Sequence, residues 1–378
     1  MFKNVMTNSE EQREPKTNST KKILRILLQV VVMVAIFAAL LWYIGLGSLY
    51  DALLKIKVEY LTLAFLMYFG INVFFTIRLR RVLAKGGVKT SFGKTLLAQY
   101  AGMLTSDVTP GRSGYILTPV YLRDQNVPAS KALSSVLGIQ TIEFLVKVIG
   151  GIGAAIFLIE IVPTGNWPTA TILGINVTFF VIILGIALML TGAILLAAFS
   201  WSERAIGIFD RIANSKYLKR FTGGIMGKLE EYKDSAQKTR SAIPEIFGLT
   251  MICWILKGFE WYFLAIALGI SISSNFAIAW LGFFLIHPLV TALAFVPITP
   301  AGAGVQEFGI VGILSLLFVS PSPATLGAIG AFAILARGLL IVEDLAGVPQ
   351  IVKSTSLIFS RKKNELTEIG STPEAKPI

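Results

Sequence analysis

Long apolar runs, separated by short polar connections, cover most of this chain. A helix that spans a bilayer needs about 20 apolar residues, and runs near that length occupy residues 26–46, 60–77, 133–159, 171–199, 243–270, 276–296 and 324–346. Segment 305–319 is apolar but shorter, and segment 95–122 is broken near residues 109–111. The pattern predicts an all-α polytopic membrane protein with about 8 spanning segments plus re-entrant or broken helices.

The composition supports lipid as the main solvent. Hydrophobic residues make up 54% of the 378 residues and charged residues only 15%, whereas soluble domains carry about 25% charged residues. This excludes a soluble enzyme, a disulfide scaffold and an ordinary DNA-binding domain. The net charge of +12 therefore indicates basic loops beside anionic lipid headgroups, with no nucleic acid as partner.

The basic residues predict the orientation in the membrane. Of the 34 Lys and Arg residues, 29 lie in one set of connections, two (Lys55 and Lys57) lie in the opposite set, and three lie within apolar runs. By the positive-inside rule, both termini and the 200–243 loop face the cytoplasm of a cell membrane. The connections alternate between the two sides of the membrane only if segment 95–122 enters and leaves on the same side, as a re-entrant hairpin or as two short spans.

Three polar regions flank or interrupt the predicted transmembrane domain, residues 21–347. Residues 1–20 predict a disordered cytoplasmic N-terminus, and residues 348–378 predict a cytoplasmic tail. Loop 200–243 mixes apolar with basic residues, which is typical of an amphipathic helix at the membrane interface.

The chain contains a repeat with an offset of 190 residues. Residues 109–114 (TPGRSG) have a counterpart in residues 299–304 (TPAGAG), and the flanking apolar runs keep the same register. Lys147 and Arg337, each a cation inside an apolar run, also correspond. Under the predicted topology the copies, about 60–159 and 243–347, start on opposite sides. This pattern indicates an inverted-topology repeat with a substrate site at its broken segments.

The two breaks predict a polar cavity, because irregular backbone within a membrane must be satisfied by protein or water. Gly111 and Gly114 in the first break, and Gly302 and Gly304 in the second, are predicted binding positions. A half-helix that begins after each turn would point free N–H groups at an anion. Arg112 would add a guanidinium suited to phosphate, or alternatively would reach back from a hairpin tip to the cytoplasmic surface.

Ionisable side chains within spans are costly and need partners. Glu143 and Lys147 are four residues apart, so they are spaced to neutralise each other on one helix face. Glu307 and Arg337 lack a partner at helical spacing and must find one across helices. Glu307, Arg337 and Glu143 therefore join the predicted binding residues.

Three further residues carry no predicted role in binding. Lys257 and Glu260, three residues apart, are spaced as a second neutral pair on one helix face. His287 precedes Pro288, and we interpret it as a packed residue at a helix kink.

No cofactor, metal or catalytic residue is predicted. Cys253 and His287 are the chain's single cysteine and histidine, so neither a disulfide within the chain nor a His/Cys zinc site can form. A metal site made only of carboxylates has no spacing in its favour. The chain also lacks a Walker A signature and a recognisable catalytic triad, so we do not expect an enzyme.

Segments 101–147 and 295–307, which contain the two motifs, resemble the lysylphosphatidylglycerol synthase transmembrane-region family of flippase-like integral membrane proteins. The resemblance extends over about residues 22–347. Fuller members carry a soluble aminoacyl-transfer domain after this part, so the short segment after the last span predicts the stand-alone membrane part. The resemblance implies lipid translocation between leaflets, with Arg112, Glu143, Glu307 and Arg337 at polar positions of the family pattern.

This chain departs from the family pattern at three positions. Tyr115 stands where an acidic residue often follows the first motif, Phe144 replaces the arginine of a Glu-Arg pair, and Lys147 occupies an Asp position. The lipid headgroup is therefore expected to differ from aminoacylated phosphatidylglycerol.

The sequence favours a lipid flippase or scramblase that moves an anionic or modified phospholipid, or a polyprenyl-phosphate lipid, between leaflets. One alternative is a proton-coupled secondary transporter of a small polar solute, with Glu307 or Glu143 carrying the proton. The other is an accessory subunit of a lipid-glycosylation machinery. Membrane lipids with anionic headgroups are the expected partners, and a second copy of the chain or a lipid-modifying enzyme are further candidates.

Overall fold

The computed structural model describes residues 19–169, 171–172, 175–202, 204, 225–295, 298–318 and 320–356. The polar N-terminus up to residue 18, much of the 200–243 loop and the tail from residue 357 lie outside these residues. The predicted disordered N-terminus and most of the predicted amphipathic helix of loop 200–243 therefore lie outside the described residues.

The described chain is helical almost throughout, which confirms an all-α polytopic membrane protein. Its helices are α1 (Ser19–Ile44), α2 (Leu46–Leu54), α3 (Val58–Lys85), α4 (Phe92–Val108), α5 (Thr118–Tyr121), α6 (Ala129–Ile161), α7 (Val177–Trp201), α8 (Ile225–Arg240), α9 (Ile243–Ala267), α10 (Phe276–Leu293), α11 (Val305–Leu316) and α12 (Pro323–Asp344).

Seven helices of the described residues are long and apolar enough to cross a membrane: α1, α3, α6, α7, α9, α10 and α12, whose helical span continues to Ser356. Helix α11 is apolar but shorter, as its run of residues predicts. The predicted span 171–199 begins later than expected. Two short strands, β1 (Thr171–Ile172) and β2 (Ile175–Asn176), pair antiparallel before α7.

Helix boundaries follow local capping chemistry. The side chain of Asn275 accepts hydrogen bonds from the backbone N–H groups of Ala277 (2.8 Å) and Ile278 (3.4 Å) and so fixes the start of α10. Ser322 caps α12 in the same manner, by accepting from the N–H of Thr325 at 3.2 Å. These caps satisfy N–H groups that have no partner within their own helices.

The packing is that of a protein whose outer surface is apolar. Ile149, Ile152, Ile156 and Ile159 form an exposed stripe on α6, at a spacing that places them on one face. The interior holds aromatic side chains, and the ring of Phe332 lies 5.2 Å from Trp261 and 5.8 Å from Phe283. Exposed isoleucines beside a packed interior fit a helix surface in contact with lipid.

The helices of the two repeats correspond and pack against each other. With the 190-residue offset, α3, α4 and α6 fall on α9, α10 and α12. Helix α3 packs along α9, while α6 packs against α10 and α4 packs against α12. Because α6 corresponds to α12 and α10 corresponds to α4, these last two contacts are equivalent to each other. This is expected for two copies related by a twofold axis. Opposite orientation in the membrane stays a prediction.

The described end of the 200–243 loop is a polar helix, α8, that packs on the start of α6. Ser134 donates a hydrogen bond to Ser235 at 2.6 Å, and Ser130 donates one to Glu231 at 2.5 Å. Thr239 lies against Gly138, which leaves no room there for a larger residue. This part of the loop is therefore held by the protein's own transmembrane domain.

Candidate functional site

The two broken segments meet at equivalent residues. Pro110 and Pro300, which are 190 residues apart, form an antiparallel bridge. Beside them, the backbone N–H of Ala301 donates a hydrogen bond of 2.9 Å to the carbonyl oxygen of Thr109. The sequence match therefore corresponds to a physical junction between the copies, which we call the proline junction.

Both sides of the proline junction adopt the same backbone turn. Gly111 and Arg112 have φ angles of +61° and +51°, and their counterparts Ala301 and Gly302 have +49° and +67°. A left-handed conformation is uncommon for a residue with a side chain. Its occurrence at two matching pairs of positions indicates that the copies share a turn, and not only a composition.

The predicted glycines shape the breaks. A Cβ atom on Gly114 would overlap the carbonyl group of Thr105, and one on Gly302 would overlap the backbone of Ala294. Gly304 adopts a φ of +85°, which favours glycine. None of the four predicted glycines lines the cavity described below.

The first break differs from the prediction, because no long half-helix follows it. A 3₁₀ turn, Ser113–Leu117, leads into the single turn of α5, and the chain then folds back along α4. Thr105 and Tyr121 are hydrogen-bonded at 2.8 Å across this return. The hairpin shape agrees with the prediction. The prediction that a helix dipole points from this break into the cavity is wrong, because peptide dipoles add up only along a longer helix.

The second break does begin a helix, but its N-terminus is already occupied. Glu307 lies in the first turn of α11 and accepts a hydrogen bond of 2.6 Å from the backbone N–H of Gly304. The N–H of Gly304 is therefore not free for an anion, since the protein supplies its own carboxylate to this helix end.

Glu307 also forms the predicted interhelical pair. Its other carboxylate oxygen accepts from the Nε–H of Arg337 on α12, and Arg337 also donates to the side chain of Gln306 at 3.1 Å. Glu307 is 1% and Arg337 13% exposed. Neither side chain lines the cavity, whereas Gln306 does, so this buried pair supports the cavity wall from behind.

A cavity lies where the two repeats meet, beside Gln306 and Arg112. It encloses about 950 Å³ of space not filled by protein, including its open mouth. Four cations line it: Arg78 of α3, Arg112 of the first break, Lys147 of α6 and Lys257 of α9. Positive charge from four separate elements thus converges on a single space.

The predicted pair on α6 is present, but it has a third member. Lys147 lies 3.0 Å from Glu143, and Arg78 donates to the same carboxylate at 3.1 Å. Arg78 also donates to Thr250 at 2.7 Å. One carboxylate therefore serves two cations, and Glu143 itself lines the cavity.

The predicted pair on α9 also forms. Lys257 donates to both carboxylate oxygens of Glu260 at 2.7 Å, and its ammonium group lies 4.8 Å from the centre of the Tyr68 ring. Lys257 faces the cavity while Glu260 is fully buried behind it.

Arg112 points inward, and the alternative of a side chain reaching back to the surface is wrong. Its guanidinium donates to Asp107 at 2.6 Å. The side chains are 13% and 2% exposed, respectively. A cation reaching for the surface would be solvated, whereas this one is held at the cavity by a buried carboxylate.

His287 is buried at the kink, as expected, but it also forms part of the cavity wall. Its ring stands edge-on to Trp261 at 4.9 Å and to Trp254 at 5.9 Å. Among the described residues, its Nδ1 atom has no hydrogen-bond partner. The wall therefore combines aromatic surface with an available polar atom.

Three buried charged residues near this cavity were not among the predicted site residues. The apolar run 60–77 ends directly before Arg78, but Arg78 lies three and seven residues after Phe75 and Ile71 and therefore on the same face of α3. Asp107 directly precedes the first break. Asp344 lies near the end of the last apolar run, 324–346, and is fully buried. In each case the sequence feature that could have identified the residue is a charged side chain near the end of an apolar run or beside its break.

The described residues contain no group of three or more His, Cys, Asp or Glu side chains that could hold a metal ion.

The fold and site define a helical multi-pass membrane protein with a cation-lined cavity between two broken, repeated segments. The chain belongs to the lysylphosphatidylglycerol synthase TM region family, whose model matches residues 26–342. It is also similar to the UPF0104 membrane protein PH1989 of Pyrococcus horikoshii. The two are 22% identical over 357 residues, which cover 89% of this chain and 97% of that protein.

Proposed function

We propose that this protein moves a lipid with an anionic, phosphate-containing headgroup between the two leaflets of the cell membrane. The observation that carries the proposal is the convergence of Arg78, Arg112, Lys147 and Lys257 on one cavity at the junction of the repeats. Phosphate oxygens accept several hydrogen bonds from such donors, and guanidinium groups match their geometry.

The charges around the cavity leave room for an anion. The four cations are matched in direct contact by three carboxylates, those of Glu143, Asp107 and Glu260. The Nε–H of Arg78 is buried and finds no acceptor among the described residues. An unsatisfied buried donor is costly, so a bound phosphate oxygen would lower the free energy of this site.

The remaining walls suit the rest of a lipid headgroup. Gln99, Gln140 and Gln306 supply amide groups for hydroxyl or amine substituents, while Phe75 and Trp254 supply apolar surface. The lipid named in the family's description, lysylphosphatidylglycerol, is itself a phosphodiester with polar substituents. This supports a lipid over a free anion as the transported species.

The proline junction supplies a point about which the repeats could rock. Inverted repeats in transporters alternate access to a central site by moving one half against the other.

We place both termini and the 200–243 loop in the cytoplasm, on the distribution of Lys and Arg. The partners we propose are anionic membrane lipids, with a second copy of the chain or a lipid-modifying enzyme as further associates. The role is transport, not catalysis.

A proton-coupled transporter of a small polar solute is the second candidate, because the same cavity would suit a soluble phosphate ester. Glu143 and Glu307, the proton carriers that this alternative requires, are both held in ion pairs. Each carboxylate is therefore already engaged by a cation of the protein itself.

Leaflet exchange in proteoliposomes tests the proposal. Fluorescent phosphatidylglycerol and phosphatidylcholine are compared, with a membrane-impermeant quencher reporting how much label reaches the outer leaflet. We expect quenching beyond the outer-leaflet fraction for the anionic lipid, and slower exchange for the zwitterionic lipid. Quenching limited to the outer leaflet for both lipids, with uptake of soluble dimethyl phosphate, would contradict lipid transport and support the solute transporter.

A further inference from the structure

His287 is a polar group of the cavity wall for which the binding of a phosphate gives no role. It lines the cavity from α10 and is 8% exposed. Its Nδ1 atom has no hydrogen-bond partner among the described residues. A buried polar atom without a partner costs free energy, and such atoms are few in folded proteins. A ligand group that supplies the missing hydrogen bond inside the cavity would remove this cost.

Packing holds the imidazole ring at the wall. The ring stands edge-on to Trp261 at 4.9 Å and to Trp254 at 5.9 Å. Helix α6 approaches the same kink closely, because a Cβ atom on Gly150 would lie 2.8 Å from the side chain of Pro288 and 2.9 Å from that of Trp254. The imidazole is therefore clamped between two indole rings, which supply no hydrogen-bond acceptor to it.

The wall around His287 suits a group that carries hydroxyls. Thr291, one turn further along α10, also lines the cavity, and its hydroxyl donates to the carbonyl oxygen of Pro288 at 3.1 Å. The Thr291 oxygen can therefore still accept a hydrogen bond. A neutral imidazole offers one donor and one acceptor, as a hydroxyl does. Trp254 and Trp261, which both line the cavity, supply apolar surface for the carbon atoms of such a group.

The cavity is less suited to an amine. Among the described residues that line it, Glu143 alone carries a carboxylate. That carboxylate already accepts from Arg78 and Lys147. An ammonium substituent would add a further positive charge to a wall that already carries four cations and would find no unengaged carboxylate there, and like charges repel. The wall therefore favours an uncharged substituent.

The place for the phosphate adjoins the place for the hydroxyl. Lys257 lies three residues after Trp254 and four before Trp261, so the three side chains share one face of α9. All three line the cavity, and the two tryptophans are the rings that clamp His287. A phosphate bonded to Lys257 would therefore direct its next substituent toward the imidazole.

We infer that His287 recognises a hydroxyl group of the headgroup, and that the transported lipid is a phosphodiester whose second substituent is an uncharged polyol, such as glycerol or a sugar. The inference rests on the proposed function, because it takes an anionic lipid as the ligand of the cavity. The cations hold the phosphate, while His287 distinguishes the substituent that the phosphate carries.

Two lipids of equal charge test this recognition. Dihexanoyl phosphatidylglycerol and dihexanoyl phosphatidylpropanol both carry a three-carbon substituent, and they differ only in its two hydroxyls. Their affinities for the purified protein are measured in a detergent without hydroxyl groups, at pH 8, where a histidine in water is uncharged. We expect the wild type to bind phosphatidylglycerol about threefold to tenfold more tightly, the value of one neutral hydrogen bond.

His287→Leu removes the polar atoms and should bind both lipids equally. His287→Asn, whose amide occupies the position of Nδ1, should keep part of the preference, and it gives a second readout if His287→Leu folds poorly. Phe284→Leu is the matched control, because Phe284 packs edge-on against Trp254 at 6.1 Å but does not line the cavity. The control should keep the full preference, and all variants are first matched for Tm.

Three results would overturn the inference. These are equal affinities for the two lipids in the wild type, an unchanged preference in His287→Leu, and an equal loss of preference in Phe284→Leu. Glycerophosphoglycerol, the same headgroup without acyl chains, should bind more weakly than the lipid, and binding as tight as that of the lipid would overturn the lipid as ligand. The proposed function fails separately, when the wild type prefers phosphatidylglycerol but shows no leaflet exchange.

Discussion

The backbone N–H of Ala301 donates a hydrogen bond of 2.9 Å to the carbonyl oxygen of Thr109, across 192 residues of sequence. This bond ties the first broken segment to the second within the proline junction. Arg112 follows one side of the junction and Gln306 follows the other, so the bond joins the two segments that contribute these cavity-lining residues.

The proline junction predicts a cross-link. Residues opposite each other in an antiparallel bridge have Cα atoms about 4.5–5.5 Å apart, within the range that a disulfide spans. In a Cys253→Ala background, Pro110→Cys with Pro300→Cys should form a disulfide in membranes under mild oxidation. Cleavage at a protease site inserted between residues 205 and 224 would then leave the halves joined on a non-reducing gel.

The matched control for the cross-link is Pro110→Cys with Gly312→Cys, since Gly312 lies exposed on the far part of α11. This control should separate into two fragments. Equal cross-linking in both pairs, or none in the proline pair, would contradict the junction.

Gly114 predicts a large effect from a single methyl group. Its Cβ atom would overlap the Thr105 carbonyl group, and backbone atoms yield less than the end of a side chain. Gly114→Ala should lower the free energy of unfolding by about 1–3 kcal/mol, seen as a lower Tm in detergent. Gly312→Ala, where nothing lies within 4 Å, is the control, and a similar loss of Tm in both would show that the close approach is not the cause.

The Glu307–Arg337 pair predicts a structural phenotype. Arg337→Met leaves Glu307 buried without its cation, a change that typically costs about 3–5 kcal/mol. The double variant Arg337→Met with Glu307→Gln should recover part of that loss, because no unpaired charge remains. Detergent unfolding of the wild type, both single variants and the double variant measures the coupling. Additive losses would contradict a direct pair.

Much of the architecture could be predicted from the sequence because lipid imposes a simple rule on it. A spanning helix must be long and apolar, so the runs predict α6, α9 and α10 with boundaries close to those observed, whereas α3 extends eight residues beyond its run. The 190-residue offset of the repeats also predicted that Pro110 and Pro300 are equivalent positions, and in the structure these two residues form a bridge.

The site was harder to predict because charges find partners across helices. Helical spacing identified Glu143 with Lys147, but not Arg78, which joins them from α3. Tyr68 and Asp344 are 276 residues apart in sequence, and their hydrogen bond of 3.1 Å arises from the fold alone. A local pattern also cannot show that the first break continues as a tight turn, since this depends on how the chain packs against α4.

The most direct test of the cation-lined cavity is the initial rate of leaflet exchange of labelled phosphatidylglycerol in three arginine variants. Arg78→Ala and Arg112→Ala each remove charge-assisted hydrogen bonds to the headgroup and should slow exchange at least about tenfold. Arg81→Ala, on the same helix as Arg78 but 67% exposed beside Glu245, should leave the rate unchanged. All three proteins are first matched for Tm and for elution as a single species. Equal rates in all three variants and the wild type would contradict the account.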